Sequence, residues 1–196
     1  MIGSLRFHHV EFYCGDARST ANHFALSLGL TVTGTTGQVT GNDKCVSYGL
    51  ESGDQFRLLL TAPYSRAIAT REEEDEKNSK DYDAPEPLPN FNAEEAHTFF
   101  QRHGLAARAI GLEVIDAKAA FETSVANGAI AVLEPSFLPS CMAQLKARED
   151  VPGTNNSKGE EESASGCYIA EVELYGDVVL RYVSFPSDQT NATCDS

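Results

Sequence analysis

The sequence predicts an α+β fold of two tandem βαβββ modules joined by a linking helix. Residues 6–30 read as an apolar strand, an Asp, a helix and a Gly, and residues 107–130 repeat that order, with Asp116 standing where Asp16 stands. Each copy then ends in two apolar runs around a Gly-Asp pair: Gly53-Asp54 within 47–61 and Gly176-Asp177 within 168–185. Repetition of a whole supersecondary unit marks a paired-module architecture and directs the search for a site to the sheet faces.

The first module spans 5–64. Its opening strand alternates His9, Glu11 and Tyr13 with His8, Val10, Phe12 and Cys14, giving one polar and one apolar face. Asp16 caps the helix that follows, because its carboxylate accepts from free N–H groups of the first turn. Ala21, Phe24, Ala25 and Leu28 recur at helical spacing before Gly29 stops the helix. A strand near 30–33, a Gly and Thr rich loop and the hairpin complete the unit.

Residues 65–104 form the linker. It is acidic at its centre (REEEDEKNSKDYD), extended across the Pro-spaced run 85–89, and then helical. Asn92 with Glu95 three residues on forms a capping box that starts a helix through about His103, with Ala96, Phe99 and Phe100 inward and Gly104 ending it. The second module spans 105–186: a strand at 107–115, then a helix capped by Asp116 with Ala120, Phe121 and Val125 inward. An insertion at about 141–166, rich in Lys, Glu, Ser, Asn and Gly, reads as a disordered loop before the last hairpin. The tail, 187–196, is polar.

Composition excludes several function classes. The 196 residues, 41% of them hydrophobic, suffice for one sizeable core in one domain or two packed halves. A net charge of −14 argues against nucleic acid or an anionic membrane as partner, since phosphate binding needs clustered Lys and Arg. The charge runs, GEEES at 159–163 among them, read as solvated loop. Five scattered cysteines (Cys14, Cys45, Cys141, Cys167, Cys194) lack CxxC or zinc spacing and fit a reducing, cytoplasmic setting. No segment approaches the roughly 18–20 apolar residues of a membrane span, and a first strand near Leu5 leaves no room for a cleavable targeting peptide. The sequon at Asn191 reads as a chance match in the tail.

Chemistry-bearing residues are few. His8 and His9 are adjacent on a strand, so they point to opposite faces and cannot chelate together. His23, His97 and His103 lie on helices, and neither HxxxH nor HExxH occurs. Glu171 and Glu173 share a strand face; a paired-carboxylate acid/base site is one reading, a solvated face with Val172 and Leu174 inward the favoured one. Both Gly-Asp pairs are hairpin turns. Cys14 and Cys167 read as inert strand thiols, and Ser136 and Ser140 sit in no GxSxG elbow. Arg57 and Arg181 are the basic residues of the hairpin strands, and Arg181, if buried, needs a carboxylate or carbonyl partner, with Glu171 or Glu173 on the neighbouring strand the obvious candidate.

The segments FHHVEFYCGDA, SGDQFRLLLTAPYS, HGLAARAIGLEVIDAKAAFETSVANGA and AEVELYGDVVLRYVSFP, in this order from about Phe7 to Pro186, resemble the N-terminal half of the 4-hydroxyphenylpyruvate dioxygenases, most of all the plant and green-algal form. That family belongs to the vicinal oxygen chelate superfamily of βαβββ modules. The resemblance implies tyrosine breakdown: Fe(II) and O2 convert 4-hydroxyphenylpyruvate to homogentisate and CO2, with iron held by two His and one carboxylate. In the family all three ligands come from the C-terminal half, which this chain does not reach.

Metal-binding modules of the superfamily place one ligand on the first strand and a carboxylate on the last. Here those positions match His9 and Leu58 in the first module, Ala109 and Arg181 in the second. A leucine cannot ligate and a fixed cation repels Fe(II). His9 is therefore read as a packed or hydrogen-bonded strand residue, and no catalytic, cofactor-binding or metal-ligating residue is assigned to this chain. Three functional readings stay open: the N-terminal half of such a dioxygenase, inactive alone and partnered by a catalytic C-terminal half; a metal-free binding or interaction module; and a metalloenzyme whose site forms across a homodimer through His9 of each copy.

Overall fold

A computed structural model describes residues 6–53, 56–64, 91–139 and 166–185. Asp54, the acidic connector, Ser140, Cys141, the insertion up to 165, and the tail with Asn191 and Cys194 lie outside them. The element order is β1 (Arg6–Tyr13), α1 (Ala17–Leu28), β2 (Thr31–Thr36), a 3-10 turn (Gln38–Thr40), β3 (Cys45–Ser52), β4 (Phe56–Pro63), α2 (Ala93–His103), β5 (Ala106–Glu113), α3 (Ala117–Ala126), β6 (Ala131–Pro139), β7 (Gly166–Tyr175) and β8 (Val178–Ser184). The βαβββ order thus occurs twice with α2 between, which is the α+β fold expected.

Local signals acted as their chemistry requires. Asp16 accepts from the Ser19 amide and Asp116 from those of Lys118 and Ala119, while Asn92 accepts from Glu94 and Glu95 and donates to the Glu95 side chain. Gly53 and Gly176 turn the hairpins at φ 59 and 53, a left-handed conformation costly for residues with a Cβ.

The eight strands form one sheet, ordered β2-β3-β4-β1-β5-β8-β7-β6. β1 pairs parallel to β4 and β5 parallel to β8, and the units meet through antiparallel β1 and β5. One sheet face carries both module helices: Ala21 of α1 packs with Leu50, Leu58 and Leu60, and Ala117, Ala120 and Phe121 of α3 pack with Ala170, Val172 and Tyr182. Over the opposite face lies α2, whose Ala96 and Phe99 pack with Tyr13, Cys45 and Phe91.

Two inward assignments are corrected. Val125 and Leu174 are exposed, because each falls beyond the part of its helix or strand that another layer covers.

Candidate functional site

The sheet face under α2 is the polar one, and it is buried. His9, Glu11, Ser47, Thr61, Glu171 and Arg181 are each no more than 9% exposed. Strand alternation separates two faces without saying which is dry, and here both are covered. Glu171 consequently does not sit on a solvated face. It is buried while Glu173, two residues on, is exposed.

Arg181 organises the cluster. Its Nε donates to Glu171 Oε1 at 2.6 Å, its Nη2 to Glu11 Oε2 at 2.8 Å and its Nη1 to His9 Nε2 at 3.2 Å. Glu171 is the neighbouring-strand partner expected. Glu11, 170 positions away in sequence, was not foreseen, although its place on β1 beside His9 was the available signal. Thr61 donates to the other Glu11 oxygen at 2.6 Å, and Ser47 and Thr61 hydroxyls lie 2.9 Å apart. The network crosses the β1–β5 seam and joins both modules. Burial by itself would lower the Arg181 pKa, but Glu11 and Glu171 more than reverse this and hold it above its ordinary value.

The two histidines are not on opposite faces. Phe7 pairs with Leu112 and His9 with Gly111, so His8 is an extra residue, a β-bulge that turns its ring toward its neighbour. The two Nδ1 atoms are 2.7 Å apart. A guanidinium can only donate, so His9 Nε2 accepts from Arg181 and the ring proton sits on Nδ1, facing His8. Burial first, then the Arg181 charge, push the His9 pKa well below 6.5; burial and Arg57 lower that of His8. His9 is also why residue 111 is Gly, since a Cβ there would run into the imidazole.

Iron does not fit this arrangement. Arg181 faces both carboxylates and the Nε2 of His9, and the remaining nitrogen of His9 is engaged by His8. Among the described residues no group of three or more His, Cys, Asp or Glu could hold a metal ion. The last-strand comparison also shifts by one. Register places Leu59 opposite Glu11 and Arg181 opposite Gly111, whereas Leu58 packs toward α1. Ala109 lies opposite Glu11 across the seam.

His23 lies on α1, and two histidines serve α2: His97 Nε2 lies 2.9 Å from the Tyr64 carbonyl, and His103 Nε2 lies 2.7 Å from Asp177, whose pKa that contact lowers. Burial raises the thiols of Cys14, Cys45 and Cys167, and Arg57 pairs with Glu51. Beside the Arg181 network, between α2 and strands β6–β8, lies a cavity of about 580 Å³ walled by Tyr13, Phe91 and Phe99. Five carboxylates (Glu94, Glu95, Glu171, Glu173, Asp177) and three guanidiniums (Arg102, Arg108, Arg181) line it. A second bulge, at Arg108 of β5, accompanies that residue's reach to the Asp177 carbonyl.

No family model matches the chain. Curated relatives do: it is 38% identical over 185 residues to 4-hydroxyphenylpyruvate dioxygenase of Arabidopsis thaliana, covering 94% of this chain and 34% of the relative. The protein of that name from Daucus carota is 38% identical over 184 residues, with 94% and 33% covered. The chain matches the N-terminal part of the 4-hydroxyphenylpyruvate dioxygenases. It spans about a third of the curated relatives' length, less than the half the resemblance suggested. Among solved structures, a 4-hydroxymandelate synthase mutant from Streptomyces coelicolor superposes with TM-score 0.59 at 19% identity, covering 98% of this chain and 45% of that one. A methylmalonyl-CoA epimerase superposes with TM-score 0.55 at 13% identity, covering 95% and 97%. These neighbours show the vicinal oxygen chelate fold. No helix among the described residues is long and apolar enough to cross a membrane.

Proposed function

We propose that this chain is the N-terminal supporting part of a 4-hydroxyphenylpyruvate dioxygenase, a scaffold for a catalytic remainder that binds Fe(II) and converts 4-hydroxyphenylpyruvate and O2 to homogentisate and CO2 in tyrosine catabolism. Identity of 38% across 94% of the chain carries the reading. A buried Arg–Glu–Glu–His network where superfamily modules can carry ligands supports a structural role for this part. By this reading the chain is inactive alone, its modules are 5–64 and 105–186, its partner is the catalytic part, and its compartment is cytoplasmic.

The test mixes the purified chain with the C-terminal polypeptide of a relative and Fe(II), measuring O2 uptake and homogentisate. Activity in the mixture above that of either piece is expected. Turnover by this chain alone would sink the assignment of chemistry to the remainder. A mixture no more active than the C-terminal piece would favour a stand-alone binding module.

A further inference from the structure

The cavity between α2 and β6–β8 has a lining with an acidic surplus. Glu11 and Glu171 both lean on one guanidinium, and His9, held well below its ordinary pKa, adds no positive charge. Around the whole cavity five carboxylates stand against three guanidiniums, so the lining holds more acidic than basic groups. Buried charge without full compensation is costly, and a cation placed beside it would offset that cost. Glu11 is fully buried and bonded by both Thr61 and Arg181, whereas Glu171 gives one oxygen, Oε1, to Arg181 and itself lines the cavity. Glu173 stands on the same strand face and lines the same space.

The walls have a second character. Tyr13 meets Phe91 and Phe99 edge-on at centroid distances of 6.0 and 5.5 Å, and all three border the cavity. Aromatic faces beside carboxylates suit an organic ammonium, whose charge is drawn to both and whose carbon body fills apolar volume. About 580 Å³ lies within the roughly 300–1,000 Å³ of small-molecule sites. An inorganic divalent ion is disfavoured, since no group of three or more His, Cys, Asp or Glu among the described residues could hold one.

We propose that this cavity is a binding site for a small arylalkyl ammonium, its charged nitrogen held by Glu171 and Glu173 and its ring set against Tyr13, Phe91 and Phe99. This site needs no iron and lies within the single chain, so it stands or falls apart from the dioxygenase reading.

Calorimetric titration of the chain with benzylamine, with benzyl alcohol and benzoate as neutral and anionic counterparts, tests it. Saturable one-to-one binding of benzylamine, weakened by added salt and at least about tenfold tighter than that of either counterpart, is expected. Glu171→Gln should weaken it about tenfold. Because Glu171 also pairs with Arg181, Glu173→Gln serves as the variant that leaves the buried network whole, with several-fold loss expected. Equal affinity for benzyl alcohol, preference for benzoate, or undiminished benzylamine affinity in Glu173→Gln would overturn the proposal.

Discussion

Arg181 shows what a single side chain settles in this protein. Replacing it by Met would leave Glu11 and Glu171 buried without a counter-charge, and breaking a buried pair in this way costs about 3–5 kcal/mol. Arg181→Met should therefore lower the urea midpoint by an amount equivalent to that range; an unchanged midpoint would show the network to be energetically idle. Arg181→Lys should recover only part of the loss, because a point ammonium cannot reproduce three bonds from a planar fork. His9 adds a pH dependence. Its folded pKa lies well below 6.5, so the unfolded state binds more protons as pH falls through 6.5. Stability is then fully present above about pH 6.5 and declines below it until the folded pKa is reached. Urea midpoints measured from pH 7.5 to 5.0 should fall, and His9→Gln should show a shallower fall; parallel slopes would argue against a neutral buried His9. At this scale the sequence was only partly legible. The need of Arg181 for Glu171 followed from strand adjacency, whereas Glu11 reaches it from a strand that only the module seam brings close.

Elements were more legible than side-chain directions. Asp16, Asn92 and Asp116 act within three residues, so their caps could be read from the chain itself. The His8 bulge depends on how β1 registers against β5, and neither strand encodes that alone. It is what turns a nominally divergent pair into a contact at 2.7 Å. Gly111 records the same register. Gly111→Ala should cost about 1–3 kcal/mol through collision with His9, and His9→Ala should relieve it. A double-mutant cycle with no coupling between the two positions would contradict this account of the glycine. Val125 and Leu174 mark the opposite error: helical or strand periodicity continues past the point where a covering layer ends.

Across the whole molecule, the modules share one sheet through β1 and β5 and one buried network through Arg181, Glu11 and Thr61. Neither can open without exposing polar groups of the other. Unfolding should therefore be a single cooperative transition. Far-UV dichroism and the near-UV signal of the tyrosines, used because the chain has no Trp, should give coincident urea curves; separate midpoints would mean that the modules unfold independently. The sequence by itself determined the repeat, the helix caps, the hairpin turns and the family, since these are written in local spacing and in ordered matches along the chain. Only the tertiary structure decided that the polar face of β1 is interior, that His8 and His9 touch, and that Arg181 fills the centre. The physical reason is that strand alternation defines two faces symmetrically. Which of them is desolvated, and which distant charges meet there, depends on the layers that the rest of the chain lays over them.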